Sequence, residues 1–152
     1  MRISVIAVGG LKAGPERDLA EKYSARITWP ISVREVEDKR GLKGAALRKR
    51  EGELILSSCP DGATIVALDE RGKTMSSPDF AARLGGWWDD GIAEIVFVIG
   101  GAGGLDDAVR KRADLVLAFG AMTLPHLLMR GVLLEQIYRA QTILAGHPYH
   151  RE

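Results

Sequence analysis

Three segments constrain the fold more than any others: "RISVIAV" at 2–8, "ATIVALD" at 63–69 and "AEIVFVIGG" at 93–101. Each is a near-continuous run of apolar, largely β-branched residues, not an alternation of apolar with polar. A strand with one wet face alternates. A strand written this way is covered on both faces, the mark of a mostly parallel sheet between two layers of helix. "ISVREVE" (31–37), which does alternate, and "LVLAFG" (115–120) add two more strands.

Between the strands lie helical signals. Pro15 suits a first helical turn with acids beside it, and residues 42–58 carry Leu47, Leu54 and Leu56. Ser77 reads as an N-cap with Pro78 at the first helical position; Asp106 and Asp107 open a short basic helix ending near Ala113; Pro125 begins a last helix running to about Leu144. Strand and helix alternate through short glycine-rich links. The expectation is one α/β domain over residues 1–152, with a mostly parallel sheet and helices on both faces. A chain of 152 residues buries a core without staples, and 46% hydrophobic with 27% charged residues suits a soluble protein. Cys59, the single cysteine, can form no intrachain disulfide. No apolar run approaches the ~20 residues of a membrane span, and no leader pattern opens the chain. The expected location is the cytoplasm, without membrane contact.

In such a sheet ligands bind beyond the carboxyl ends of the strands, and the loops there exclude several chemistries. Gly9 and Gly14 have Walker A spacing, but Pro15 and Glu16 stand where its Lys and Ser/Thr belong. A dinucleotide fingerprint started from Gly101 and Gly103 would put its third glycine on Asp106, with Asp107 adding charge against a pyrophosphate. There is no GxSxG, HExxH or paired CxxC. His147 and His150 are spaced i, i+3, but Pro148 breaks any helix between them, and no metal is expected. What remains is a glycine-lined crevice around Gly100 to Gly104 that main chain can approach closely. A ligand without phosphate and with positive charge would tolerate Asp69, Asp106 and Asp107; S-adenosylmethionine has that character. Glycines that merely permit sharp turns account for the same pattern.

Net charge is +1, yet "KRGLKGAALRKR" carries Lys39, Arg40, Lys43, Arg48, Lys49 and Arg50 with no acid among them. This is either a footprint for a phosphate backbone or a solvated helix face between acidic flanks. The last helix is apolar around most of its circumference and needs cover on two sides, which a symmetric dimer commonly supplies. On its polar strip Glu135 and Arg139 are spaced to pair.

Taken together, "LDERGK" (68–73), "SSPDFA" (76–81), "VIGGAGG" (98–104), "MTLPHLLMRGVLLEQIYRAQTI" (122–143) and the terminal "HPYHR" resemble the RlmH family, ribosomal RNA large subunit methyltransferases of the SPOUT class. The resemblance spans essentially the whole chain. It implies a homodimer whose C-terminal region forms a trefoil knot, an exception to the rule against knots. It also implies methyl transfer from S-adenosylmethionine to N3 of a pseudouridine in 23S rRNA. By motif, the cofactor contacts fall on Leu68, Gly100, Phe119, Gly120, Ala121, Met122, Thr123 and Leu124. The basic segment becomes a contact with rRNA or the ribosome. One departure stands out: Ala102-Gly103 replaces the family's usual Pro-Glu in the glycine loop.

The tail then acquires a role. Tyr149, His150 and Arg151 are the expected catalytic residues, closing over the pocket to orient the nucleotide, with His150 a candidate base for the N3 proton. The alternative is a tail that only stabilises the dimer. His126, beside Pro125 at a helix start, is expected to be structural, and Trp87-Trp88 to serve packing. Other functions stay open: a non-catalytic ribosome-binding assembly factor that kept the fold, or a nucleotide-binding protein acting on a small metabolite.

Overall fold

The computed structural model describes residues 1–151; Glu152, the last residue of the tail, lies outside them. Strands β1 (Arg2–Val8), β2 (Ile31–Val36), β3 (Thr64–Thr74), β4 (Glu94–Ile99) and β5 (Leu115–Ala118) alternate with helices α1 (Pro15–Ser24), α2 (Gly44–Ser58), α3 (Ser77–Asp89), α4 (Asp107–Arg112) and α5 (His126–Leu144). The strands form one sheet in the order β2-β1-β4-β3-β5, and every pairing is parallel. The connections β1 to β2 and β3 to β4 step one way along the sheet, while β2 to β3 and β4 to β5 step the other. Right-handed crossovers therefore put α1 and α3 on one face and α2 and α4 on the opposite one.

The strand pattern follows. Ile3, Val5, Ile95, Phe97 and Ile99 pack in the layer containing α1, α3 and α5. Their neighbours Ile6, Val8, Val96 and Val98 pack in the layer containing α2 and α4. β1 and β4 have no wet face, which is why their sequences do not alternate.

Two local expectations shift. The N-cap of α3 is Ser76, whose hydroxyl accepts from Asp79 N at 3.1 Å, one residue before the expected Ser77. Ser77 is committed elsewhere: its hydroxyl donates to Gln136 Oε1 on α5 at 2.7 Å. β3 also continues to Thr74 instead of ending near Asp69. It leaves its ladder with β5 after Leu68 and rejoins at Lys73, both residues facing Leu117, so residues 69–72 bulge out of the sheet. Gly72 makes the return possible, since a Cβ there would lie 2.5 Å from the Val116 carbonyl oxygen.

Helix α5 lies in the same layer as α1 and α3. Leu133, Leu134 and Ile137 are buried, and Gln141 Oε1 accepts from Thr28 N at 2.8 Å, tying the helix to the turn after α1. The second cover that its apolar circumference calls for thus comes in large part from helices of the same chain.

The contact between α1 and α5 is close at Gly131. An added methyl would lie 2.6 Å from Leu19 Cδ2 and 3.3 Å from Leu19 Cβ, so turning the leucine tip does not make room. Gly131→Ala is expected to lower stability by about 1–3 kcal/mol despite the better helix propensity of alanine. The urea midpoint should fall with an unchanged slope.

Candidate active site

A crevice of about 580 Å³ opens beyond the carboxyl ends of β3, β4 and β5. Its walls come from three links. Leu68 and the bulge 69–71 form one, the glycine loop Gly100–Leu105 a second, and the β5–α5 connection with the start of α5 a third. Of the residues expected to contact a cofactor, Leu68, Gly100, Phe119, Gly120, Met122, Thr123 and Leu124 line it; Ala121 does not.

The glycine loop turns back on itself, with Gly104 N donating to Gly101 O at 2.9 Å and Gly104 at φ +84°. A Cβ at Gly100 would lie 2.9 Å from the Gly104 carbonyl group. Gly100 is therefore required by the loop's own closure, and a side chain there would meet the loop's other limb before any ligand.

Charge at the rim is arranged differently from the sequence expectation. Asp69 is not a free anion: Arg71 N, Nε and Nη2 donate to its oxygens at 2.9, 3.1 and 3.2 Å, and Arg110 Nη1 at 3.1 Å. Arg110 also donates to the Leu105 carbonyl at 2.7 Å and pairs with Asp107, so one guanidinium joins the β3 bulge to the end of the glycine loop. Burial alone would raise the Asp69 carboxyl, but the hydrogen bonds and charges of Arg71 and Arg110 outweigh it and hold the group below the usual carboxylate range. Asp106 caps α4 through Ala108 N. Neither Arg71 nor Arg110 is marked by periodicity; the nearness of Arg71 to Asp69 in "LDERGK" is the one readable trace.

His126 opens α5 and lines the crevice. Burial, reinforced by Arg130 one turn on, lowers its pKa, so the ring is neutral near neutral pH. Arg130, 3% exposed, donates to Glu35 at 2.5 Å and to the Gly9 carbonyl at 2.9 Å, fastening α5 to the ends of β1 and β2. A charged residue inside so apolar a helix was the available signal.

The tail packs on its own chain's α5 and does not line the crevice. Tyr149 stacks edge-on against Tyr138 at 4.7 Å, lies under the Arg139 guanidinium at 4.7 Å, and its hydroxyl donates to Glu135 Oε1 at 3.3 Å. Burial, then Tyr23 and Glu135, push its phenol up to about 12. His150 Nδ1 meets Arg139 Nη1 at 3.1 Å. Arg151 is exposed. The Glu135–Arg139 pair forms at 2.7 Å, as its spacing implied.

In the basic segment, Arg40 and Arg50 are drawn to Asp38, and Arg50 also to Glu53. Lys39, Lys43 and Lys49 are exposed. Arg48 has its stem 3.5 Å from where a Cβ of Gly103 would lie, which places it beside the glycine loop. Trp87 packs against the core, while Trp88, 46% exposed, lies against Trp29 at 6.0 Å. Among the described residues no group of three His, Cys, Asp or Glu could hold a metal ion, and no helix is long and apolar enough to cross a membrane.

Comparison with known proteins gives the following. A family model described as "Predicted SPOUT methyltransferase" matches residues 1–150. The ribosomal RNA large subunit methyltransferase H of Rhodospirillum centenum is 56% identical over 151 residues, covering 99% of both chains. That of Paramagnetospirillum magneticum is 54% identical over the same length and coverage. Among solved structures, a probable methylase family protein from Haemophilus influenzae superposes with a TM-score of 0.59 at 10% identity, over 99% of this chain and 70% of that one. The SpoU methyltransferase AviRb from Streptomyces viridochromogenes, in complex with AdoMet, gives 0.51 at 14% identity; the match covers 92% of this chain and 58% of AviRb.

The Asp69 network makes a stability prediction. Asp69→Asn leaves Arg71 without its anion and Arg110 with Asp107 alone; since Arg71 is largely exposed, the expected cost is about 1–2 kcal/mol near neutral pH. Because the folded pKa is depressed, the anion's contribution is complete above the unfolded-state value of ~3.9 and fades as pH falls through the folded one. Denaturation curves of the two proteins should therefore lie apart at neutral pH and converge only in strong acid.

Proposed function

The chain belongs to the ribosomal RNA large subunit methyltransferase H family of SPOUT methyltransferases, and from that premise we propose that it transfers a methyl group from S-adenosylmethionine to N3 of a pseudouridine in 23S rRNA. The observation that carries the reading is the crevice: Leu68, Gly100, Phe119, Gly120, Met122, Thr123 and Leu124, seven of the eight positions where the resemblance puts the cofactor, line it together. The cradle also fits by shape, since Gly100 and Gly104 fold against each other and Gly120, at φ +134°, bears no side chain at its point on the third wall. No metal enters this reading. When bound, the cofactor supplies an electrophilic methyl on a sulfonium; the chain's own work is alignment of the base nitrogen with that methyl, the positioning effect that dominates such transfers.

RNA would reach the crevice across the basic segment. Arg48 stands at the glycine loop, and Lys39, Lys43 and Lys49 extend the positive surface away from it. Arg40 and Arg50, although committed to Asp38, add length to the same strip.

The tail is read as acting across a homodimer with the family's knotted C-terminal region. It rests near Glu135 to Arg139, roughly 13 to 20 Å along α5 from His126 at the crevice. A tail held there does not serve its own crevice, whereas a two-fold partner can present one to it. Tyr149 then packs beside the base and Arg151 holds phosphate or a carbonyl. A base role for His150 requires release of Arg139, because a ring nitrogen accepting from a guanidinium has no lone pair left for a second proton. The altered loop at Ala102-Gly103 favours one other reading, an assembly factor that binds ribosomes without transfer. Calorimetry with S-adenosylmethionine separates them.

The direct test is mass spectrometry of 23S rRNA from cells with and without the gene. A methylated pseudouridine, present only with the gene and restored by it, is the expected result; identical rRNA in both strains rejects the assignment.

A mixing experiment tests the tail. One protomer lacks residues 147–152 and the other carries Gly100→Val with its tail intact. Each homodimer is expected to be inactive. Mixed dimers, with subunit exchange verified, should regain up to one active site per dimer, since a sound crevice then meets the partner's tail. Inactive mixed dimers would contradict action in trans.

A further inference from the structure

Glu51 lies midway along α2, 8% exposed, with its carboxyl pressed against the back of the glycine loop. A Cβ added at Gly101 would lie 2.9 Å from Oε2 and 3.2 Å from Oε1. Gly101 lines the crevice on its other side, so a single layer of backbone separates this carboxyl from whatever the crevice holds. No cation compensates it among the described residues. Arg50, its neighbour on α2, turns to Asp38 and Glu53. Arg48 runs beside Gly103, and Asp106, from the start of α4, faces the adjacent Gly52. Asp38, from the β2–α2 link, is the nearby charge that acts on Glu51, and it is an acid. On the crevice side, Asp69 is matched by Arg71 and Arg110, which leaves Glu70 at the bulge and His126. Burial first, and Asp38 second, raise the carboxyl above its ordinary range. Positive charge arriving nearby would favour the anion of a carboxyl so placed, and the open approach is through the crevice.

We infer that Glu51 is a specificity-determining residue: from behind the glycine loop it favours a cationic ligand in the crevice over the same ligand without the charge. The inference rests on the proposed methyl donor, whose sulfonium is positive while the thioether product S-adenosylhomocysteine is neutral at sulfur. Donor binding then expels a proton from Glu51. Transfer of the methyl removes the sulfonium charge, Glu51 regains its proton, and the hold on the product weakens. Charge acting through one backbone layer at an effective dielectric near ~20 changes affinity roughly tenfold after the cost of ionisation.

The test is calorimetry of both ligands with the wild-type protein, Glu51→Gln and Glu51→Asp, from pH ~5 to ~7. Repeating each titration in two buffers of different ionisation enthalpy counts the protons released. Wild type should release protons with the donor but not the product, and its donor-to-product affinity ratio should rise with pH. Glu51→Gln should lower that ratio roughly tenfold and flatten it. Glu51→Asp, which keeps the charge, should restore the slope. Glu70 and His126 are common to all three proteins and cancel from the comparison. An unchanged ratio in Glu51→Gln overturns the inference, as does an equal loss of both ligands, which would make Glu51 a mechanical brace. A wild-type protein that binds the product but not the donor overturns the inference; one that binds neither overturns the methyl-donor reading as well.

Discussion

The whole arrangement hangs on β4, which is buried on both faces and paired on both sides, with β1 at one edge and β3 at the other. Such a strand cannot shift by one residue without exchanging every side chain between two filled layers. Phe97 and Val98 enter different layers. That fixed strand ends at Ile99, and the glycine loop begins at the next residue, so the loop inherits a rigid base. The crevice is thus a loop construction on the least movable part of the fold, where rigid elements hold a site most accurately.

Around it, acids and bases are settled locally. Asp69 joins Arg71 and Arg110, Asp38 joins Arg40 and Arg50, and Glu35 joins Arg130. These pairs serve geometry more than net charge. Arg110 sets the distance between the β3 bulge and the glycine loop, and Arg130 sets that between α5 and the β1 end. Glu51 stands apart because, among the described residues, no cation pairs with it.

The strands were legible because burial on two faces leaves a mark that needs no tertiary knowledge: Ile95 to Ile99 read as a covered strand on their own. Helix starts were legible through Pro15, Pro78 and Asp106, whose chemistry acts within a few residues. The N-cap of α3 slipped by one because Ser77 answers to Gln136, 59 residues away, and no local rule sees that partner. The bulge after Leu68 escaped for a similar reason, being set by pairing with β5. At the site, the crevice walls followed from the ends of strands and from family resemblance together. Arg110 and Glu51 carried no local signal of their function, and Arg130 only that of a charge inside an apolar helix, since each meets a partner from a distant part of the sequence: Asp69, the glycine loop and Gly9.

The position of α5 has a consequence for synthesis. The layer it completes also holds Ile3 and Val5 from the first strand and Ala20 from the first helix. β1, moreover, finds its central partner β4 only after residue 94. As the chain emerges from its amino end, those early residues gain cover first from α3 and β4 and complete it only when α5 packs on them. Contacts that join the two ends of a chain close late and slowly. The core of this molecule therefore closes only once α5 has been made, and part of its first-made apolar surface waits until then.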